Sequence, residues 1–190
     1  MDIMYTTTTS PLGSLLVAAT ERGLCTVRLG DSAADLEQGL RREFPAATIQ
    51  RDDAALRPWV DALVRYLDGR QQQLDLPLDV QATVFQSRVY EALRAIPYGS
   101  TRSYSQVAQA IGQPTAARAV AHACATNPVA LVIPCHRVVR DDGSLGGYRW
   151  GVERKRSLLT QEARTAESGA ANGDDAAPHP DAAVAAIGTA

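Results

Sequence analysis

The chain has 190 residues, 45% of them hydrophobic, and a formal net charge of −2. That is enough for one domain or two small ones with a core that needs no disulfide staples. Cys25, Cys124 and Cys135 form no C-x-x-C pair and no apolar run reaches 18 residues, which argues against a zinc ribbon, a redox pair and a membrane span. Residues 1–10 have neither the basic start nor the apolar core of a signal peptide, so a cytoplasmic location is expected.

Residues 3–9, 14–20 and 24–29 are rich in Thr, Val and Leu. Pro11-Leu12-Gly13 and Glu21-Arg22-Gly23 punctuate them as hairpin turns would, predicting a meander of three strands. Leu36, Leu40 and Phe44 then recur at helical spacing over 35–44. A second helix is predicted over 56–67, with Trp59, Val60, Leu63, Val64 and Leu67 on one side, and 71–79 reads as a linker. Phe85, Val89, Leu93 and Ile96 define the next helix, stopped at Pro97-Tyr98-Gly99.

A helix from Ser103 to Ile111, a turn at Gln113-Pro114-Thr115 and a helix over 116–125, with Thr115 as its expected N-cap, make a helix-turn-helix. The second helix of that motif usually meets DNA. Here it is nearly all alanine, around Arg118. Small side chains permit either tight packing in an interior or close approach to a narrow groove with little base reading. Arg118 could enter a base stack or contact a phosphate. Residues 143–151 form a glycine-rich loop without a nucleotide-binding fingerprint, either a lid over a flat ligand or a plain turn cluster. A last helix spans 151–164, with Val152, Leu158 and Leu159 inward. The composition of 165–190 predicts a disordered tail.

Charge is unevenly placed. Residues 82–164 carry 11 basic and 5 acidic side chains, whereas 1–81 carry 8 and 12. The basic segment suits a polyanionic partner or is ordinary solvated charge. It also holds Pro134-Cys135-His136-Arg137-Val138. A thiol is mostly protonated at neutral pH, and an adjacent imidazole can take its proton. Neighbours on a regular strand face opposite ways, so Cys135 and His136 need an irregular turn to share a pocket, and Pro134 favours one. A buried cysteine beside an incidental histidine would look the same as a dipeptide.

The ordered set Phe85-Gln86, Val89-Tyr90, Ile96-Pro97-Tyr98-Gly99, Ser103-Tyr104, Arg118-Ala119-Val120, Asn127-Pro128, Pro134 to Val138 and Gly147-Tyr148-Arg149-Trp150-Gly151 resembles the O6-alkylguanine-DNA alkyltransferases. It looks most like the methyltransferase half of Ada-type proteins. The resemblance is strong over 82–164, weaker over the N-terminal unit, and absent from the tail. It implies an α/β fold: a small N-terminal α/β domain with an antiparallel sheet and linker (1–79), a mostly helical, winged-helix-like catalytic domain with the helix-turn-helix (80–164), and the tail.

The family activity it implies is DNA repair by stoichiometric, irreversible alkyl transfer from O6 of guanine, and O4 of thymine, to the protein's own cysteine. The target base is flipped out of the duplex. By the same resemblance Cys135 is the acceptor, His136 takes its proton, Glu162 orients His136, Asn127 ties the helix-turn-helix to the active-site turn, and Tyr104 helps rotate the nucleotide and protonate N3. Arg118 fills the gap left by the base, with Ser103, Thr115, Ala117 and Ala119 also on the DNA side. Val138 (through its backbone), Tyr148 and Arg149 line the substrate pocket. No cofactor, metal or membrane is implied, and the partner is double-stranded DNA bound by a monomer. Two other readings stand beside this one. A lesion-binding relative would lack the acceptor thiol. A cysteine hydrolase would need an oxyanion hole and an acyl substrate.

Overall fold

The computed structural model describes residues 1–171. Three strands, β1 (Asp2–Ser10), β2 (Gly13–Thr20) and β3 (Gly23–Gly30), form the antiparallel meander expected from the turns between them. α1 (Ala33–Glu43) follows, with Ser32 accepting from the Asp35 N–H at 3.3 Å. The chain then adds β4 (Thr48–Arg51), which pairs with β1 in parallel and gives the sheet order β3-β2-β1-β4. No strand was expected there. Four residues, three of them polar, carry too short a pattern to register as one.

Next comes α2 (Asp53–Leu67). It starts before the expected Leu56, because Asp52 caps the Ala55 N–H at 2.9 Å, and it runs on through Pro58, which has no N–H to give the Ala54 carbonyl.

Alternation along β2 buries both faces of the sheet. Leu16 and Ala18 face α1 with Ile3, Tyr5, Cys25 and Leu40. Leu15, Val17 and Ala19 face the opposite way, with Leu24, Val27 and Leu29, onto Leu56, Leu63, Tyr66 and Leu67. That second core does not stop at α2. It continues without a break into Val89, Leu93, Val120 and Leu158 of the helical unit, so both halves share one interior.

The helical unit comprises α3 (Val84–Arg94), a two-residue β5 (Arg102–Ser103), α4 (Tyr104–Ala110), α5 (Ala117–Thr126), a 3-10 turn (Cys135–Arg137), β6 (Val138–Val139) and α6 (Val152–Ala171). Capping boxes start α3 at Thr83 with Gln86 and α4 at Ser103 with Gln106. β5 pairs with β6 in parallel, which ties the start of the helix-turn-helix to the residues just after the 3-10 turn.

Two expectations need correction. Thr115 does not cap α5. The N-cap is Ala116, with no side-chain cap, because the Ala116 N–H closes the preceding turn onto the Gln113 carbonyl at 2.9 Å. The tail does not begin at residue 165 either, since α6 runs on to Ala171. The Ala-rich sequence favours helix, and Ala166 packs against Gly99. The remainder of that expected tail, 172–190, lies outside the described residues.

Candidate active site

The turn between α5 and Cys135 is built against the edge of β3. Thr26 Oγ1 and the Val27 N–H both donate to the Pro128 carbonyl, at 2.8 and 3.0 Å, and the Ala130 N–H donates to Val27 O at 3.0 Å. Leu131 holds a left-handed φ of 71° while 2% exposed, so packing enforces a backbone strained for a branched residue. Asn127 spans this turn from its centre. Its Oδ1 accepts from the Val129 N–H at 2.9 Å, and its Nδ2 donates to Ile133 O at 2.8 Å and Cys135 Sγ at 3.3 Å. It is fully buried, and both ends of its amide are used.

Cys135 and His136 sit on the 3-10 turn, 3% and 0% exposed, so the irregular backbone expected after Pro134 is present. His136 Nε2 lies 2.7 Å from Glu162 Oε1. Arg137 Nε donates to Glu162 Oε2 at 2.9 Å, and the Gly99 N–H donates to the same oxygen at 3.0 Å. Tyr66 of α2 donates its hydroxyl proton to Glu162 Oε1 and accepts from Arg137 Nη2 at 3.1 Å. Arg137 Nη1 ends on Ile96 O at 2.6 Å. The left-handed Gly99, with φ of 76°, has no room for a Cβ because Ala166 fills that space.

The electrostatics follow from burial and these partners. Burial alone would raise the Glu162 carboxyl, but His136, Arg137 and Tyr66 hold it down at about 2. Burial lowers His136 against the pull of Glu162, so at neutral pH the ring is uncharged. An ionised Glu162 fixes the proton on Nε2 and leaves Nδ1 as an acceptor. Nδ1 is buried and has no protein partner. Burial pushes the Cys135 thiol up to about 11, while Asn127 and the Lys155 ammonium pull it the other way. The resting group is therefore a thiol, and its proton must leave as it reacts. Lys155 is fully buried and donates to the Val138 carbonyl at 2.5 Å.

The other expected residues divide. Tyr104 is half-buried with its hydroxyl against Gly146, and burial raises its pKa. It lines a cavity of about 510 Å³ with Ala117, Arg118, Ala121, Arg140 and Asp141. Arg118, Ala119 and Thr115 are exposed, and Arg118 makes no ion pair or side-chain hydrogen bond with the described residues. Ser103, expected on the DNA side, is 8% exposed and its hydroxyl caps the Gln106 N–H at 3.2 Å. Val138 is buried with its carbonyl on Lys155, and the Tyr148 ring stands edge-on to His136 with centroids 6.5 Å apart.

Arg149 lies near enough to Cys135 for its charge to favour the thiolate. It donates to Asn127 O at 3.3 Å and to Glu43 Oε2 at 3.2 Å, tying the loop to α1. Sequence reasoning missed Tyr66, Arg137, Gly99 and Lys155. A cation three residues after Val152 and seven before Glu162 falls on the inward face of α6, which is a readable signal for Lys155.

The two halves of the chain match two family models. Residues 3–80 match the 6-O-methylguanine DNA methyltransferase ribonuclease-like domain, and residues 84–164 match the DNA-binding domain of the same family. The Escherichia coli bifunctional transcriptional activator/DNA repair enzyme Ada is 50% identical over 167 residues, 88% of this chain and 47% of Ada. The chain thus spans about half the length of that relative. A Bacillus subtilis inducible methylated-DNA--protein-cysteine methyltransferase is 40% identical, covering 78% of this chain and 83% of the relative. The crystal structure of Mycobacterium tuberculosis OGT in complex with DNA superposes with a TM-score of 0.74 at 40% identity, over 85% of this chain and 94% of that one.

Proposed function

The chain belongs to the 6-O-methylguanine DNA methyltransferase family, and on that premise we propose that it repairs DNA by moving an alkyl group from O6 of guanine to its own Cys135. The observation that carries the reading is the relay behind the buried thiol: His136 Nε2 held 2.7 Å from Glu162, with Nδ1 free to accept a proton. Such an arrangement activates a thiol that burial otherwise keeps protonated.

In the reaction the thiol proton passes to His136 Nδ1, directly or through one water. The sulfur attacks the alkyl carbon, the S–C bond forms as the C–O6 bond breaks, and the electron pair leaves with the guanine. Tyr104 supplies a proton to that leaving base at N3, the proton taken up by His136 then returns through solvent to the Tyr104 phenolate, and the net products are S-alkylcysteine and guanine. The Lys155 ammonium stabilises the developing thiolate from within the protein and holds the Val138 carbonyl in place for the base. Asn127 fixes Cys135 Sγ through the hydrogen bond it donates. Arg118, exposed at the start of α5, fills the stack when the base turns out, with Ala117 and Ala119 allowing the close approach. Tyr148 walls the pocket beside His136. Ser103 starts α4 on the DNA side, and Arg149 anchors the loop that lines the substrate pocket. Because the thioether is stable, each molecule reacts once. Three free, buried cysteines suit a reducing cytoplasm, and a monomer suffices for every residue named.

The test is intact-protein mass spectrometry after mixing with a duplex containing one O6-methylguanine. A gain of about 14 Da, limited to one per chain and mapped to Cys135, is expected. A folded protein that gains no mass would sink the proposal.

A further inference from the structure

We infer that Tyr66 is a positioning residue for the alkyl transfer: its hydroxyl, delivered by the N-terminal unit, fixes the Glu162 carboxylate and through it the His136 ring. The inference rests on the reading of Cys135 and His136 given above and deepens it.

Tyr66 lies near the end of α2, 2% exposed, far in sequence from the residues it serves. Its hydroxyl donates to Glu162 Oε1, the oxygen that also faces His136 Nε2, and stands 3.3 Å from that nitrogen. It accepts from Arg137 Nη2 at 3.1 Å. One oxygen thus touches all three members of the relay's rear. The ring is held edge-on against Tyr98 with centroids 5.7 Å apart, while Arg137 lies over Tyr98 at 5.5 Å. The Tyr66 carbonyl accepts from Gln161 Nε2 at 3.1 Å, so α2 is also clamped to α6 one residue before Glu162.

A tyrosine serving only as core filler would not bury a hydroxyl between a carboxylate and a guanidinium. Phenylalanine fills the same volume without that polar atom. The arrangement instead adds the phenol to the other donors on Glu162 Oε1, the His136 imidazole and Arg137 Nε and Nη2 at 3.3 and 3.2 Å. Charge on that oxygen is shared among them, and the carboxylate cannot rotate away from His136. The remaining groups facing His136 are the Arg137 guanidinium beside it on the 3-10 turn, Tyr148 from the loop and Lys155 from α6.

The test uses the full chain carrying Tyr66→Phe, with single-turnover kinetics on O6-methylguanine duplex across pH. Amplitude counts molecules able to react, and the rate constant reports on those molecules alone, so partial misfolding lowers the first and leaves the second. The expected result is one alkyl group per active chain with a rate constant reduced about tenfold, the size of one hydrogen bond to a charged group. Without the phenol, Oε1 holds a protonated His136 more strongly, so the acid limb of the rate profile moves to higher pH. Adding Tyr66→Phe to Glu162→Gln should cost little more, since the hydroxyl acts through the carboxylate. An unchanged rate constant and acid limb in Tyr66→Phe, or a full additional loss in the double variant, overturns the inference. Wild-type protein that accepts no alkyl group removes the underlying reading instead.

Discussion

The relay behind Cys135 and the first turn of α5 are opposite kinds of surface on one domain. In the relay, Asn127, His136, Arg137 and Glu162 are each no more than 6% exposed and bound to several partners. On α5, Arg118 is exposed among small residues and unpaired with any described residue, and no side chain caps the helix. The first region is finished before any ligand arrives. On the function proposed above, the second gains its partners from the duplex. Chemistry that depends on sub-ångström placement is built into the interior, and recognition of a repetitive polyanion is left to the surface.

Mutations can break this division or sharpen it. Cys135→Ala should abolish alkyl acceptance while gel-shift affinity for duplex persists, and residual acceptance would move the acceptor elsewhere. Glu162→Gln should slow transfer about a hundredfold or more in single-turnover kinetics, through loss of the imidazole's orientation and charge partner. It should also destabilise the fold by about 3 kcal/mol in urea, because the buried Arg137 loses its charge partner.

The pH dependence of stability follows from the same groups. Glu162 is depressed from 4.5 to about 2, so its contribution is complete above pH 4.5 and is lost as pH falls towards 2. His136, held below its ordinary 6.5, adds loss beginning under that value, since the unfolded chain takes up a proton that the folded one refuses. Denaturation midpoints should therefore fall steadily on acidification, and Glu162→Gln should flatten the part below pH 4.5.

On the exposed side, Arg118→Ala should slow repair in duplex about tenfold yet leave reaction with free O6-benzylguanine nearly unchanged. Raising salt should weaken duplex binding through counterion release while sparing the free base. Equal losses on both substrates would show that α5 is part of the relay's frame and not a separate reader. The smallest effect belongs to Glu153→Gln. The Glu153–Arg156 pair is 81% and 58% exposed, and thermal unfolding should register less than about 1 kcal/mol.

Local patterns were legible where chemistry and geometry are local. Turn residues located the meander, periodicity located α1 and α2, and Pro134 announced the irregular backbone at Cys135. Thr115 misled because a hydroxyl before a helix is read as a cap, whereas the preceding turn closed on Ala116. The ties of Arg149 to Asn127 and Glu43 left no mark in the sequence, because only the fold brings them within reach. Glu162 could be preferred to Glu153 only through family resemblance. The two differ in burial, and Glu153 faces out to pair with Arg156. Tyr66 had no local mark at all. It reads as one more apolar position on α2, and its function arises from a contact 96 residues away in sequence.

The hydrogen bonds from β3 to 128–130 carry one more consequence. β3 is an outer strand with Leu24, Val27 and Leu29 buried, and the active-site turn covers part of the edge that would otherwise offer unpaired amides to another chain. Damage to the turn and exposure of a sticky edge are thus one event. Variants that loosen Asn127 or Pro128 should fail as precipitates as well as slow reagents, and solubility screens will discard them before their chemistry is ever measured.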